Sequence, residues 1–123
     1  CHLDANLVRK AIDRIKLDGV KVLFIENVGN LICPGEFPLG AHKRLVVTSV
    51  TEGPYMIVKH PYIFREADVI VLNKVDLAKA MKVSPSQLQK DAQKINPYVP
   101  FIKANALTGK GIPQIIRDLG LRP

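Results

Sequence analysis

Residues 67–72, Ala67-Asp68-Val69-Ile70-Val71-Leu72, run directly into Asn73-Lys74-Val75-Asp76. The run is continuous, β-branched and apolar, so it reads as a strand buried on both faces. Strands of that kind belong inside parallel sheets, whose neighbours are joined by crossover helices. This constraint selects an α/β architecture, a mostly parallel sheet with flanking helices. In such sheets ligands bind beyond the carboxyl ends of the strands, where this polar tetrapeptide sits.

The remaining pattern agrees. Asp4 is placed to cap a helix over about residues 5–17, with Val8, Ala11, Ile12 and Ile15 on one face and Gly19 as its stop. Residues 20–25 read as a strand, and residues 27–42 as a long loop containing three glycines and two prolines. Residues 45–50 and 68–72 read as the next two strands. Ser84-Pro85-Ser86-Gln87 opens a helix, with Pro85 at its first position and Gln87 able to close a capping box. That helix runs to about residue 95, before Asn96-Pro97. Residues 99–104 are a fourth strand, and residues 112–119 a final short helix. No internal repeat or low-complexity segment interrupts the series.

The Asn-Lys-x-Asp spacing fits the loop with which GTP-binding proteins read guanine. Asp76 can accept from both N1–H and the exocyclic amine of guanine, a charge-assisted pair that adenine cannot supply. Asn73 can bond the base's other edge or brace neighbouring loops, and the stem of Lys74 can lie over its face. The alternative is a polar turn after a strand.

At 123 residues the chain makes one domain with a real core, and 47% hydrophobic content places it among globular proteins. The formal net charge of +7 raises the question of nucleic acid. The basic residues are scattered, however, and three tyrosines and four phenylalanines do not interleave with them as a stacking platform would. A phosphorylated ligand explains the charge better, and no nucleic-acid partner is expected. No apolar run approaches the roughly 20 residues that span a bilayer, and no signal-peptide pattern is present. Two cysteines in an α/β domain point to a reducing, cytoplasmic setting with thiols available for metal.

Two further constellations carry chemistry. Residues 23–29 form an apolar run ending in Glu26-Asn27-Val28-Gly29, an acid followed three residues later by glycine. In P-loop NTPases an acid so placed holds magnesium and the glycine amide reaches the γ-phosphate; a strand-to-turn with a solvated glutamate is the plainer alternative. Cys1, His2 and Cys33 supply two thiols and an imidazole, a set suited to nickel or zinc. Here the plainer alternative is one exposed and one buried cysteine. Asn105-Ala106-Leu107 follows the last strand where GTPases commonly carry Ser-Ala-Lys, and a backbone amide at Ala106 would read guanine O6. Gly109-Lys110-Gly111 is not a phosphate-binding loop, since position 104 is alanine and no Ser or Thr follows Lys110.

Cys1-His2-Leu3-Asp4-Ala5, residues 26–34 (Glu-Asn-Val-Gly-Asn-Leu-Ile-Cys-Pro), residues 36–40, 49–53 and 64–68, followed by Asn-Lys-Val-Asp, resemble the HypB-type hydrogenase maturation GTPases. The resemblance covers essentially the whole chain. It departs at residues 53–58, where the family is more polar, and at Asn105 and Leu107. It implies a P-loop NTPase-like G domain of the SIMIBI type, of which residues 1–123 are the carboxyl-terminal part, incomplete without an amino-terminal strand and phosphate-binding loop. It also implies GTP-dependent nickel insertion into nickel–iron hydrogenases, with GTP or GDP, magnesium, and nickel or zinc as the bound species. Cys1, His2 and Cys33 would be ligands at a dimer interface, Glu26 and Gly29 the catalytic switch, and Asn73, Lys74, Asp76, Asn105 and Ala106 the base site. The implied partners are a second copy of the chain, the hydrogenase large subunit and accessory nickel chaperones.

The chain begins at Cys1 rather than Met and carries no phosphate-binding loop. Three expectations follow: these residues alone hydrolyse GTP negligibly, some strand edges lack their partner, and the strands close up, swap or pair elsewhere. Competing readings are a urease-type nickel chaperone, which places its Cys-Pro-His elsewhere, and a non-catalytic metal-binding dimerisation module.

Overall fold

In the computed structural model, which describes residues 3–32 and 38–121, the apolar run is the middle strand of a three-stranded sheet. The chain divides into two units, Cys1–His42 and Lys43–Pro123. The sheet belongs to the second. Strands β1 (Leu45–Ser49), β2 (Val69–Asn73) and β3 (Phe101–Lys103) lie in that order, and both pairings are parallel. Val47 pairs with Val71, and Val71 with Ile102. Four consecutive residues of β2 are buried, as a strand flanked on both edges and covered on both faces requires.

Four helices accompany the sheet: α2 (Met56–Lys59), α3 (Pro61–Arg65), α4 (Pro85–Ile95) and α5 (Ile112–Asp118). On one face Val69, Val71, Ile102 and Ala104 pack with Ile115 and Leu119. Strand alternation turns Ile70 and Leu72 the other way, and both are fully buried. Phe64 of α3 and Leu88 of α4 are buried as well, and α2, α3 and α4 contact one another. α5 packs on β2, whereas Val47 of β1 stays 59% exposed.

Local chemistry explains the element ends. Asp68 fixes the start of β2: its Oδ2 accepts from Arg44 N–H at 2.7 Å while its own N–H donates to Arg44 C=O at 2.9 Å. Thr48, the buried polar residue of the described core, donates from Oγ1 to Met56 Sδ. Ser84 caps α4 by accepting from Gln87 N–H at 3.2 Å, with Pro85 at the first helical position. The Gln87 side chain does not close the box; it donates to Asp91 one turn on, at 2.9 Å. Asn96 ends α4 and also closes α3. Its Nδ2 lies 3.0, 3.1 and 2.9 Å from the carbonyls of Phe64, Arg65 and Ala67 at the helix end, where intrahelical donors run out; the Phe64 carbonyl also accepts from Ala67 N–H at 3.4 Å.

The first unit departs from expectation in two places. Asp4 does cap the helix, accepting from Leu7 N–H at 2.9 Å, but α1 covers only Ala5–Ile12. Beyond it the bonds tighten to three-residue turns, Arg14 N–H to Ala11 and Ile15 N–H to Ile12. Val8 is the one buried residue of α1, so little packing sustains further turns. Residues 20–25, expected as a strand, form none, and Phe24 is 77% exposed. A strand exists only where another strand takes up its backbone groups, and no described segment pairs with this one. β1, β2 and β3 are contiguous, so no open gap interrupts the sheet of the described residues. No helix among the described residues is long and apolar enough to cross a membrane.

The Asn96 clamp gives a direct test. Replacing Asn96 with Ala removes the side-chain donor from the Arg65 and Ala67 carbonyls and is expected to lower stability by about 1–3 kcal/mol, read as a lower urea midpoint at unchanged slope. An unchanged midpoint would show that water satisfies those groups equally well.

Candidate functional site

Register determines what meets at the carboxyl end of the sheet. Leu72 pairs with Lys103, so Asn73 and Ala104, one residue further, leave the sheet side by side. Ala104 N–H donates to Leu72 C=O at 2.8 Å, and Val75 N–H donates to Ala104 C=O at 3.2 Å. Each loop is thus pinned to the root of the other.

Lys74 adopts the left-handed conformation, φ 60° and ψ 37°. That region is uncommon for a side chain with a Cβ. The reversal turns the chain sharply out of β2 into a short 3-10 turn, Val75–Leu77, and leaves Lys74 and Asp76 exposed at the surface. Lys82, φ 55°, shares the conformation in the connection before α4. The torsion alone therefore does not mark the site. Asn73, half-buried, faces the second loop, and its Oδ1 accepts from Ala106 N–H at 2.9 Å. An amide whose oxygen is fixed by an N–H has its nitrogen fixed as well, so Asn73 Nδ2 is the donor left to a ligand.

The second loop, residues 105–110, closes on itself through Asn105. Asn105 N–H donates to Lys110 C=O at 3.0 Å, and Asn105 C=O accepts from Thr108 N–H and Gly109 N–H at 3.2 and 3.0 Å. Its side-chain Oδ1 accepts from Leu107 N–H at 3.1 Å. Gly111 then turns the chain into α5 with φ 90°. A Cβ there would sit 3.0 Å from the Ala104 side chain and 3.1 Å from Lys103 C=O, so only glycine passes this close to β3. The first loop thus carries exposed Lys74 and Asp76 next to Asn73, and Asn73 is bonded to the second loop.

Five of the residues expected from sequence thus come together: Asn73, Lys74, Asp76, Asn105 and Ala106. Sequence reasoning identified Asn105 as a replacement for serine and missed its bonding role. An Asn opening a turn two residues before a backbone N–H was the available signal. Glu26 and Gly29 lie in the first unit, both exposed, and a Cβ at Gly29 would meet nothing within 4 Å. Nearby, Asn27 Oδ1 accepts from Leu3 N–H and Val28 N–H, each at 2.8 Å, tying the start of the described chain to the Glu26–Gly29 turn. Cys1, His2 and Cys33 lie outside the described residues. Among the described residues no three His, Cys, Asp or Glu side chains gather as a metal site.

Comparison with known proteins gives a consistent answer. Residues 1–103 match the family model described as "CobW/HypB/UreG, nucleotide-binding domain". A probable hydrogenase maturation factor HypB of Methanocaldococcus jannaschii is 48% identical over 116 residues, 94% of this chain and 52% of that protein. The crystal structure of the maturation factor HypB from Archaeoglobus fulgidus superposes with a TM-score of 0.89 at 45% identity, covering 98% of this chain and 63% of that one. The structure of Helicobacter pylori HypB in complex with nickel gives 0.88 at 34% identity, covering 97% and 57%. The chain spans about half the length of the Methanocaldococcus relative. Its three-stranded parallel sheet with flanking helices is part of their P-loop NTPase-like fold. With residues 1–103 matching that family model and the fold superposing on a HypB structure, the chain belongs to the CobW/HypB/UreG nucleotide-binding family.

Proposed function

We propose that these residues are the base-reading and metal-handling part of a GTPase that inserts nickel into nickel–iron hydrogenases. One observation carries the nucleotide half of the reading: the Asn73–Ala106 bond of 2.9 Å that joins the Asn-Lys-Val-Asp loop to the loop after β3. In it, Asp76 accepts from guanine N1–H and the 2-amino group, Lys74 covers one face of the base, and Asn73 Nδ2 donates to the remaining edge. Ala106 N–H reaches guanine O6 by sharing its hydrogen between that oxygen and Asn73 Oδ1, a three-centre bond.

The phosphate and metal half rests on family membership and donor chemistry. Glu26 offers an exposed carboxylate oxygen, the ligand type magnesium prefers, with water and phosphate oxygens completing its shell. The backbone N–H of Gly29 would serve the γ-phosphate. Magnesium, when bound, neutralises charge on the transferring phosphoryl group. Cys1, His2 and Cys33 take nickel, with zinc as the competing ion, at the interface between two copies of the chain. Two thiolates and one imidazole leave a coordination position free, which suits an ion that must be handed on. Thiolate ligands require a reducing compartment such as the cytoplasm. The receiving partners in this reading are accessory nickel chaperones and the hydrogenase large subunit. The Helicobacter pylori HypB structure is a complex with nickel, which supports nickel as the metal in this reading.

In the full-length protein, Asp76→Asn is expected to weaken GDP binding by about 100-fold, the loss of two charge-assisted bonds at roughly 1.5 kcal/mol each. It should bind xanthosine diphosphate better than wild type does, because the asparagine amide matches a C2 carbonyl. Isothermal titration with both nucleotides decides the point; unchanged GDP affinity in the variant would remove Asp76 from the base site. For the metal, native mass spectrometry during nickel titration should show dimer forming with wild type and not with Cys33→Ala. Equal dimerisation of the two would dismiss the assigned ligand set. The 123 residues alone, which contain no Gly-x-x-x-x-Gly-Lys-Ser/Thr loop, should hydrolyse GTP negligibly under single-turnover conditions. Turnover at the full-length rate would show that catalysis does not need that loop.

A further inference from the structure

Asn105 uses every hydrogen-bonding group of its backbone and its side-chain oxygen inside one six-residue loop. Its N–H and C=O close the loop against Lys110, Thr108 and Gly109, and Thr108 Oγ1 adds a bond to the same carbonyl at 3.2 Å. Its Oδ1 holds Leu107 N–H. Ala106 N–H, between the two residues so held, is the amide that meets Asn73 Oδ1. Rotating Asn73 by half a turn about its last torsion would set Nδ2 against Ala106 N–H, donor against donor. The loop therefore selects one of two orientations that are otherwise nearly equivalent for an asparagine. Among the described residues no hydrogen bond uses Asn73 Nδ2, which leaves it a free donor at the rim of the base site.

We infer that Asn105 is a positioning residue for guanine recognition: by closing its loop, it fixes Ala106 N–H against Asn73 Oδ1 and so aims Asn73 Nδ2 at the purine N7. The inference rests on the guanine reading of the site. It also gives a reason for asparagine where related loops carry serine: the asparagine oxygen reaches the amide two residues on and closes the turn.

Three nucleotides separate the parts. GDP against 7-deaza-GDP reports the N7 contact, and GDP against IDP reports the Asp76 contact with the 2-amino group. In the full-length protein, wild type and Asn105→Asp, which keeps the acceptor, should prefer GDP to 7-deaza-GDP by about 3- to 10-fold, the worth of one neutral hydrogen bond. Asn105→Ala should lose that preference, as should Asn73→Ala, while Asn105→Ala keeps the wild-type preference for GDP over IDP. If Asn105→Ala retains the N7 preference, or both ratios collapse together, or Asn105→Asp behaves like alanine, Asn105 does not act through Asn73. If wild type itself fails to distinguish GDP from IDP, the guanine reading falls, and this inference with it.

Discussion

β2 is the constraint on which the second unit depends. It is paired with parallel strands on both edges and four of its residues are buried, so its ladder runs to protein rather than water. That arrangement leaves the chain few options at its carboxyl end. Parallel neighbours end on the same side, and the loops leaving β2 and β3 must emerge together. The ladder bonds at Ala104 and Val75 continue this order one residue past the sheet. The candidate site is thus an extension of strand pairing, and its polar groups are held by the geometry that buries Val69 to Leu72.

The two loops divide the work. The first supplies exposed chemistry, Lys74 and Asp76, on a left-handed turn. The second supplies order, with Asn105 closing residues 105–110 and Gly111 allowing α5 to start against β3. Asn73 joins them. A half-buried amide bonded across two loops is well suited to recognition, since its orientation is set before a ligand arrives and little ordering cost remains.

The first unit behaves differently because little packing and no strand pairing hold it. α1 buries one residue, and the apolar segment at 20–25 has no strand beside it. A helix held by a cap alone ends early, and an apolar run without a ladder does not become a strand. Glu26 and Gly29 are carried on this unit, so the part of the proposed mechanism that handles magnesium and the γ-phosphate has less scaffold beneath it than the base loops do. The matched structures, of which this chain covers 63% and 57%, contain more chain than these residues supply.

How much was legible in the sequence follows the same division. β2, its parallel neighbours, the Ser84-Pro85 start of α4, the Asp4 cap and the Asn-Lys-Val-Asp loop could all be read directly. Each is decided by residues close together in the chain: an unbroken apolar run, a capping side chain, a proline at a first turn. The strand at 20–25 and the long form of α1 were misread because local pattern states a preference, and pairing or packing decides whether it is realised. The capping box at Gln87 lost to an equally local rival, Asp91 one turn along the helix. What only the tertiary structure decided was the orientation of Asn73 and the role of Asn105. Those depend on a bond between residues 33 positions apart, and no spacing rule relates two loops until parallel pairing has brought their strands side by side.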